Sequence, residues 1–491
     1  MEQLAARRAH NPKVAGSSPA PATSTMFNKN WIALLGAFLL LNVARAQIPD
    51  LIANAILKTN IPTDNVAFMV QEVDSTTPLL QHNIAKPMNP ASVMKLLTSY
   101  AALKKLGHQY TWKTHFFSDS ALDEHGVLNG NLYIQGGGDP FLTFDILEAL
   151  FHRLKRQGLK SIRGNIVLDR SAFNLPDFNP SAFDGAGMRP YNTPPNALLL
   201  DFQTIALEFS TENGILNVAP IIPLKNFQLD FANVAFNKKA CGRAWENQLT
   251  FHAHNTTLSI NGKMPICNKE HFYIMPFDAL THAQMLIGGI LEETHIDFNG
   301  HIQDGVVPKE STLLLRHESE PLLQALKSVN KYSNNVMARH LFLSLSLGKN
   351  AANLTKSRVV LNEVLHQQGL NFPELVIENG SGLSRRARIS TEHLNQLLLV
   401  IWRDSLMPEL VSTLPVIGLD GTLKRRYKNH NLKGKAHFKT GTLNDAKALA
   451  GFFHAQNGKR YALSILIHDS RAYAAQPIVD ALLDWLDTQN L

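Results

Sequence analysis

The sequence predicts an α/β (α+β) fold, an antiparallel sheet flanked by helices with β-rich sequence set into the middle of the chain. Three observations predict it. Two β-like runs lead into a helical pattern near the start, the texture changes between residues 111 and 316, and the chain closes on a hairpin followed by a helix.

Val66 to Val73 and Leu79 to His82 are β-like runs separated by turn residues at Asp74 to Pro78, which reads as two strands. Asn89 and Pro90 then supply an N-cap and a first-turn proline. Val93, Leu96, Leu97, Tyr100 and Leu103 recur at helical spacing until Gly107 stops the run. From Thr111 to about Arg316, short β-like runs lie between Gly, Pro and Asn clusters: 132–135, 165–169, 249–252 and 256–260. Helical stretches such as 144–157 interrupt them, and helical patterns return over 321–329 and 336–346. The runs 449–454 and 461–468 flank Asn457-Gly458, the strongest short hairpin signal. Residues 478–486 read as a final helix.

The length of 491 residues allows about three domains, or one large domain with insertions. A content of 45% hydrophobic and 18% charged residues is ordinary for a globular chain and excludes disorder, collagen-like repeats and a multi-span membrane protein. The net charge of +7 is unevenly placed. Arg7, Arg8, Lys13, Lys29 and Arg45 against Glu2 put +4 of it in residues 1–46. The remaining +3 makes no electrostatic case for a nucleic-acid partner.

Those 46 residues read as two pieces. From Met26 the order is Lys29, the apolar run Trp31 to Leu41, then Ala44-Arg45-Ala46. A positive start, a short apolar stretch and a small-x-small site describe a secretory signal peptide, residues 26–46, cleaved near Ala46. The run falls short of a comfortable span of about 20 residues, so an uncleaved anchor is the weaker alternative. Residues 1–25, Pro/Ser/Ala-rich and without periodicity, read as a mis-called extension ahead of the true initiator. The exported portion carries Cys241 and Cys267. In an oxidising compartment they can form one local disulfide or remain two separate thiols, and spacing does not choose.

The chemistry begins at Ser92-Val93-Met94-Lys95. Residues three apart on a helix share a face, so the Lys95 amine can reach the Ser92 hydroxyl. A buried lysine with a lowered pKa is a base that can turn a serine into a nucleophile. Alone the pattern is weak, because Ser328 with Lys331 and Ser346 with Lys349 also match. Two further motifs follow in order. Ser333-Asn334-Asn335 precedes the helical run at Val336, and Lys439-Thr440-Gly441-Thr442 stands before the closing hairpin. Ser328-Val329-Asn330 competes for the second motif, but it falls inside a helical pattern.

Ser-x-x-Lys, Ser-x-Asn and Lys-Thr-Gly in that order resemble the serine penicillin-recognising enzymes. Ser92 and Ser333 are 241 residues apart, far more than in the compact β-lactamases. This spacing resembles the D-alanyl-D-alanine carboxypeptidase/endopeptidase family of the penicillin-binding protein 4 type, peptidase family S13. Gly136-Gly137-Gly138-Asp139-Pro140, Tyr191-Asn192-Thr193-Pro194-Pro195 and Asn379-Gly380-Ser381-Gly382-Leu383-Ser384-Arg385 fit as well. The resemblance covers nearly everything after Gln47 and implies a transpeptidase-like fold. It implies a penicillin-binding catalytic domain made of 47–112 and 310–491, a nested β-rich domain of 113–205 with 272–309, and a second of 206–271.

The same resemblance, with the chemistry of each group, implies the roles. Ser92 attacks the carbonyl of the penultimate D-alanine of a peptidoglycan peptide, and Lys95 is the base. Ser333 relays the proton to the leaving amine, while Asn335 holds Lys95 and the substrate amide. Lys439 and Thr440 meet the terminal carboxylate, and Gly441 keeps the strand bare where the peptide passes. The backbone N–H groups of Ser92 and Thr442 form the oxyanion hole. Arg385 and Asn444 are placed at the substrate-side-chain pocket, which Asp184 and Tyr191 complete from the nested part. An acidic or zwitterionic side chain suits Arg385.

Other polar clusters read as structural. His252 and His254 alternate on a strand without a third ligand, and 293–295 holds no complete metal pattern. Asp139 reads as a residue that fixes loop geometry. No metal or cofactor is called for. The expected partners are peptidoglycan peptides and β-lactams as covalent inhibitors, in the periplasm, with peripheral membrane association and oligomeric state left open. The rival classes are a β-lactamase-like hydrolase and a non-catalytic penicillin-binding sensor.

Overall fold

The computed structural model describes residues 48–212, 215–240, 245–266 and 269–489. The expected extension and signal peptide, and both Cys241 and Cys267, lie outside the described residues.

A five-stranded sheet joins the two ends of the described chain. Its order is Ala436–Leu443, Ala446–His454, Arg460–His468, Val66–Glu72 and Leu80–His82. Every pairing in it is antiparallel. Period-two alternation explains how it is covered on both faces. Val66, Phe68 and Val70 pack with Leu463, Ile465 and Ile467 beneath the helices Asp50–Thr59 and Gln476–Asp487. On the other face Ala67, Ala448, Ala450 and Ala462 meet a larger helical layer. That layer holds Lys95–Leu106, Leu322–Lys331, Asn335–Ser344, Leu354–Gln367 and Thr391–Arg403. Alanines on this face give the helices room to approach. Fully burying a side chain such as Phe68 contributes roughly 1.5–3 kcal/mol, so both layers anchor the sheet.

The middle of the chain builds its own sheets, as the change in texture predicts. A mixed sheet runs Ile302–Asp304, Ile166–Asp169, Leu132–Gly136, Lys113–Ser118 and Thr312–Glu318. The helices Phe144–Arg156 and Ala279–Glu293 share its core. The second helix carries Gly288 and Gly289 in its interior. A Cβ on Gly289 would lie 2.4 Å from the Pro223 carbonyl oxygen, so close packing requires the bare backbone there. Further short strands gather around Phe209 and Trp245.

The entry to the Lys95–Leu106 helix departs from the simple cap that Asn89 and Pro90 suggest. The Asn89 Oδ1 accepts the Ala91 N–H at 2.9 Å, and Ala91 is left-handed at φ 46°. A tight turn over Ala91–Met94 then feeds the helix, with Ser92 on that turn. A non-glycine residue at positive φ costs on the order of 1–3 kcal/mol, so the surroundings must enforce this bend. Gly107 at φ 82° ends the helix, as predicted.

Candidate active site

Three elements converge on Ser92. The bent turn carries Ser92 and delivers Lys95 as the first helical residue. The start of the Asn335–Ser344 helix carries the second motif. Asn334 caps that helix by accepting the Met337 N–H at 3.0 Å, which leaves Asn335 at its first position. Ser333, just before the cap, is left-handed at φ 60°. The edge strand Ala436–Leu443 carries Lys439 and the residues after it.

Lys95 is fully buried. Its Nζ lies 2.9 Å from Ser92 Oγ, 2.6 Å from Asn335 Oδ1 and 2.6 Å from the Ser381 carbonyl oxygen. Burial first, then the charges of Lys439 and Arg339, hold its pKa well below the ordinary lysine value. A neutral amine has two N–H groups and one lone pair. Two carbonyl acceptors take the N–H groups, which leaves the lone pair for the Ser92 hydroxyl proton. Lys439 is also fully buried, and burial lowers its pKa to about 7. Its Nζ donates to Ser333 Oγ at 3.0 Å and to the Thr440 carbonyl at 2.9 Å.

The structure separates the rival serine–lysine pairs. Lys331 pairs with Asp420, and Ser346 Oγ bonds Ser357 Oγ at 2.8 Å. Asn330, of the competing Ser-x-Asn, is a core residue bonded to Ser99 and Thr413. Gly441 serves a purpose beyond a free path for the peptide. A Cβ there would lie 2.5 Å from the Pro90 carbonyl oxygen and 3.1 Å from Ser92 N, so its bareness lets the strand press on the turn that carries Ser92. Thr442 is exposed on the same edge strand.

A second cluster gathers around Arg385. Arg385 Nη1 donates to Asp445 Oδ1 at 2.7 Å, and its guanidinium lies 4.5 Å from the centre of the Phe183 ring. Asp184, beside Phe183, accepts from Tyr191 OH at 2.8 Å and from Asn192 Nδ2 at 2.9 Å. Hydrogen bonds from Tyr191, Ala186 and Asn192, with the Arg385 charge, outweigh desolvation and lower the Asp184 pKa. Asn444 shares the turn with Asp445 after the edge strand. A cleft of about 480 Å³ runs from Tyr191 and Phe202 to Ser333 and Asn335.

Three contributors escaped the sequence reading. The Ser381 carbonyl binds Lys95, Thr422 Oγ1 lies 2.8 Å from Thr440 Oγ1, and Arg339 is buried one helical turn after Asn335. A backbone carbonyl has no side-chain signature. Gly382 was the available signal for Ser381: a Cβ on it would collide with the Ala91 carbonyl at 1.9 Å. Asp139 is buried and accepts the Phe141 N–H at 2.8 Å, a loop-fixing bond. His252 and His254 are both exposed. No group of three or more His, Cys, Asp or Glu suited to a metal occurs among the described residues.

With this geometry in view, the model of the D-Ala-D-Ala carboxypeptidase 3 (S13) family matches residues 49–489. The chain belongs to that family. This S13 chain is 28% identical over 411 residues to the D-alanyl-D-alanine carboxypeptidase DacB of Haemophilus influenzae, covering 81% of this chain and 84% of the relative. It is 26% identical over 413 residues to a D-alanyl-D-alanine carboxypeptidase of Actinomadura sp. (strain R39), covering 80% and 76%. The crystal structure of penicillin binding protein 4 (dacB) from Haemophilus influenzae superposes with a TM-score of 0.74 at 26% identity, over 89% of this chain and 99% of that one. The family places this chain among the serine D-Ala-D-Ala carboxypeptidases, and the fold is that of the penicillin-recognising enzymes.

Proposed function

We propose that Ser92 is the acylated nucleophile of a serine D,D-peptidase acting on peptidoglycan stem peptides. It removes terminal D-alanine, cleaves D-Ala–meso-diaminopimelate cross-links, or does both. The observation that carries this reading is the Lys95 amine, buried and held between two carbonyl acceptors with its third direction on Ser92 Oγ. Lys95 takes the Ser92 proton as Oγ adds to the carbonyl carbon of the penultimate D-alanine. The backbone N–H groups of Ser92 and Thr442 receive the oxyanion. As the C–N bond breaks, the proton passes through Ser333 to the leaving amine, and water then releases the acyl group from Ser92. Lys439 and Thr440 bind the terminal carboxylate, whereas Arg385, Asn444, Asp184 and Tyr191 receive the substrate side chain. A β-lactam follows the same path to a stable acyl-enzyme.

The proposal extends to organisation and address. The chain is exported to the periplasm by residues 26–46, and Cys241 and Cys267 are bridged there. The catalytic part is 47–112 with 310–491, enclosing 113–205 with 272–309, and within that 206–271. Thr312–Glu318 pairs with Lys113–Ser118 in the nested sheet, which favours drawing the return to the catalytic part after Glu318 rather than at 310. Incubation with defined muropeptides and mass analysis of the products tests the activity. Loss of D-alanine or scission of cross-linked dimers is expected, whereas untouched muropeptides with rapid turnover of a chromogenic cephalosporin would indicate a β-lactamase instead.

A further inference from the structure

Arg339 follows Asn335 by one helical turn, so both residues share a face of the Asn335–Ser344 helix. Its side chain is buried, with 3% of the residue exposed. Nη1 donates to the Thr193 carbonyl at 2.8 Å, and the guanidinium stands 5.3 Å from the centre of the Phe178 ring. Nε has no hydrogen-bond partner among the described residues. Burial alone lowers its pKa, to about 10, so it stays cationic through the neutral range with no carboxylate contributing. A buried cation without a counter-ion is costly and calls for a compensating role. The neighbouring His340, kept neutral by burial and by the Arg339 charge, donates from Nδ1 to the Gly138 carbonyl at 2.9 Å. Two adjacent side chains thus grip the segments around Gly138 and Thr193.

We propose that Arg339 is a positioning residue for acylation: its bond to the Thr193 carbonyl clamps the segment carrying Tyr191 onto the helix that begins at Asn335, and it sets an uncompensated positive charge one helical turn behind the Asn335 amide that holds Lys95. The inference rests on the Ser92–Lys95 reading above. The groups surrounding Lys95 are Ser92 on its own turn, Asn335 and Arg339 on the facing helix, the Ser381 carbonyl, and Lys439 on the edge strand. Only Lys439 and Arg339 among them are charged, and both disfavour a proton on Lys95. Without Arg339 the proton binds more tightly, and the acid limb of acylation moves to higher pH.

The test is the pH dependence of penicillin acylation by the full chain, read by mass, for the wild type and three variants. Arg339→Met should move the acid limb upward by roughly 0.5–1 pH unit. Arg339→Lys keeps the charge and should leave the limb in place, while raising KM for peptides because the Thr193 contact weakens. Phe178→Ala removes only a partly exposed ring, opens the guanidinium to water and should give an intermediate shift. A purely structural Arg339 would lower the rate equally at every pH. An unmoved limb in Arg339→Met overturns the proposal, and if that variant does not fold, an unmoved limb in Phe178→Ala does so. A wild-type label outside Ser92 would instead sink the underlying reading of the site.

Discussion

The Ser92 cleft and the Arg385 cluster both gather charge, yet they hold it in opposite ways. Around Ser92, the basic side chains of Lys95, Lys439 and Arg339 are buried and touch hydroxyls and carbonyls rather than carboxylates. In the second cluster, Arg385 is 40% exposed and already paired with Asp445, itself 36% exposed. In a low dielectric each unpaired charge acts strongly on its neighbours and can tune the chemistry. In partial solvent a charge is screened and exchanges partners readily, which suits transient recognition of a peptide. With the roles proposed above, activation and recognition are separated by depth of burial, and substitutions in the two regions should differ in size and in salt dependence.

The largest effect should come from Ser92→Ala, which should abolish the single mass increment left by a penicillin while leaving the unfolding transition nearly intact. Retained labelling, or a label on Ser328 or Ser346, would place the nucleophile elsewhere. Next in size is Lys439→Met. In its proposed role Lys439 gives the substrate carboxylate a charge-assisted hydrogen bond, and losing it should cost about 1.5–3 kcal/mol, or roughly 10- to 150-fold in kcat/KM. Removal of the like charge should also raise the Lys95 pKa and lift the acid limb. Stability should move the other way. The folded-state pKa of Lys439 is about 7 against the ordinary 10.5, so between those values the unfolded chain binds more protons. Its folding penalty is complete below pH 7 and fades as pH rises to 10.5. Lys439→Met should therefore have the higher urea midpoint at pH 6 and converge with the wild type at alkaline pH. A variant less stable at pH 6 would contradict the buried, uncompensated cation.

Much of this contrast was legible in the sequence, and what was missed has a physical pattern. Ser92, Lys95, Ser333, Asn335 and Lys439 were readable because their chemistry resides in side chains at fixed local spacings. The closing hairpin and the Lys95–Leu106 helix were readable from local periodicity. The bend at Ala91 was not, because tertiary packing imposes that φ on a residue with no left-handed preference. Thr422 and Arg339 were invisible because their partners, Thr440 and Thr193, are brought to them by the fold. Gly441 was noticed for the path of the peptide, and the packed Pro90–Ser92 turn, which only the fold brings to it, demands a bare backbone there as well.

Thr422 sharpens the comparison because it lies at the border between the two regimes. It is exposed, yet its hydroxyl meets that of Thr440 beside the buried Lys439. Thr422→Val keeps the shape and removes one neutral hydrogen bond, worth about 0.5–1.5 kcal/mol. A rise in KM of roughly 2- to 12-fold for carboxylate substrates is expected, with no shift of the acid limb. A shifted limb would mean that Thr422 acts on the buried lysines rather than on the orientation of Thr440.

The smallest effect should fall on Arg385, and it tests the recognition half of the comparison directly. Its ion pair with Asp445 is partly exposed, a class of interaction worth about 0–1 kcal/mol. Arg385→Gln should then raise KM only about 2- to 5-fold for a peptide with an acidic side chain, and leave penicillin acylation unchanged. Asp445→Asn releases the guanidinium from its present partner, so it should lower KM for the same peptide. Both shifts should shrink as salt rises from about 0.05 to 0.5 M, because the screening length falls below the reach of surface charges. The Lys439→Met defect, set in a buried pocket, should survive the same titration. If Arg385→Gln instead slowed acylation by penicillin as deeply as Lys439→Met, Arg385 would be acting on Ser92 through the protein interior, and depth of burial would not be what divides the two regions.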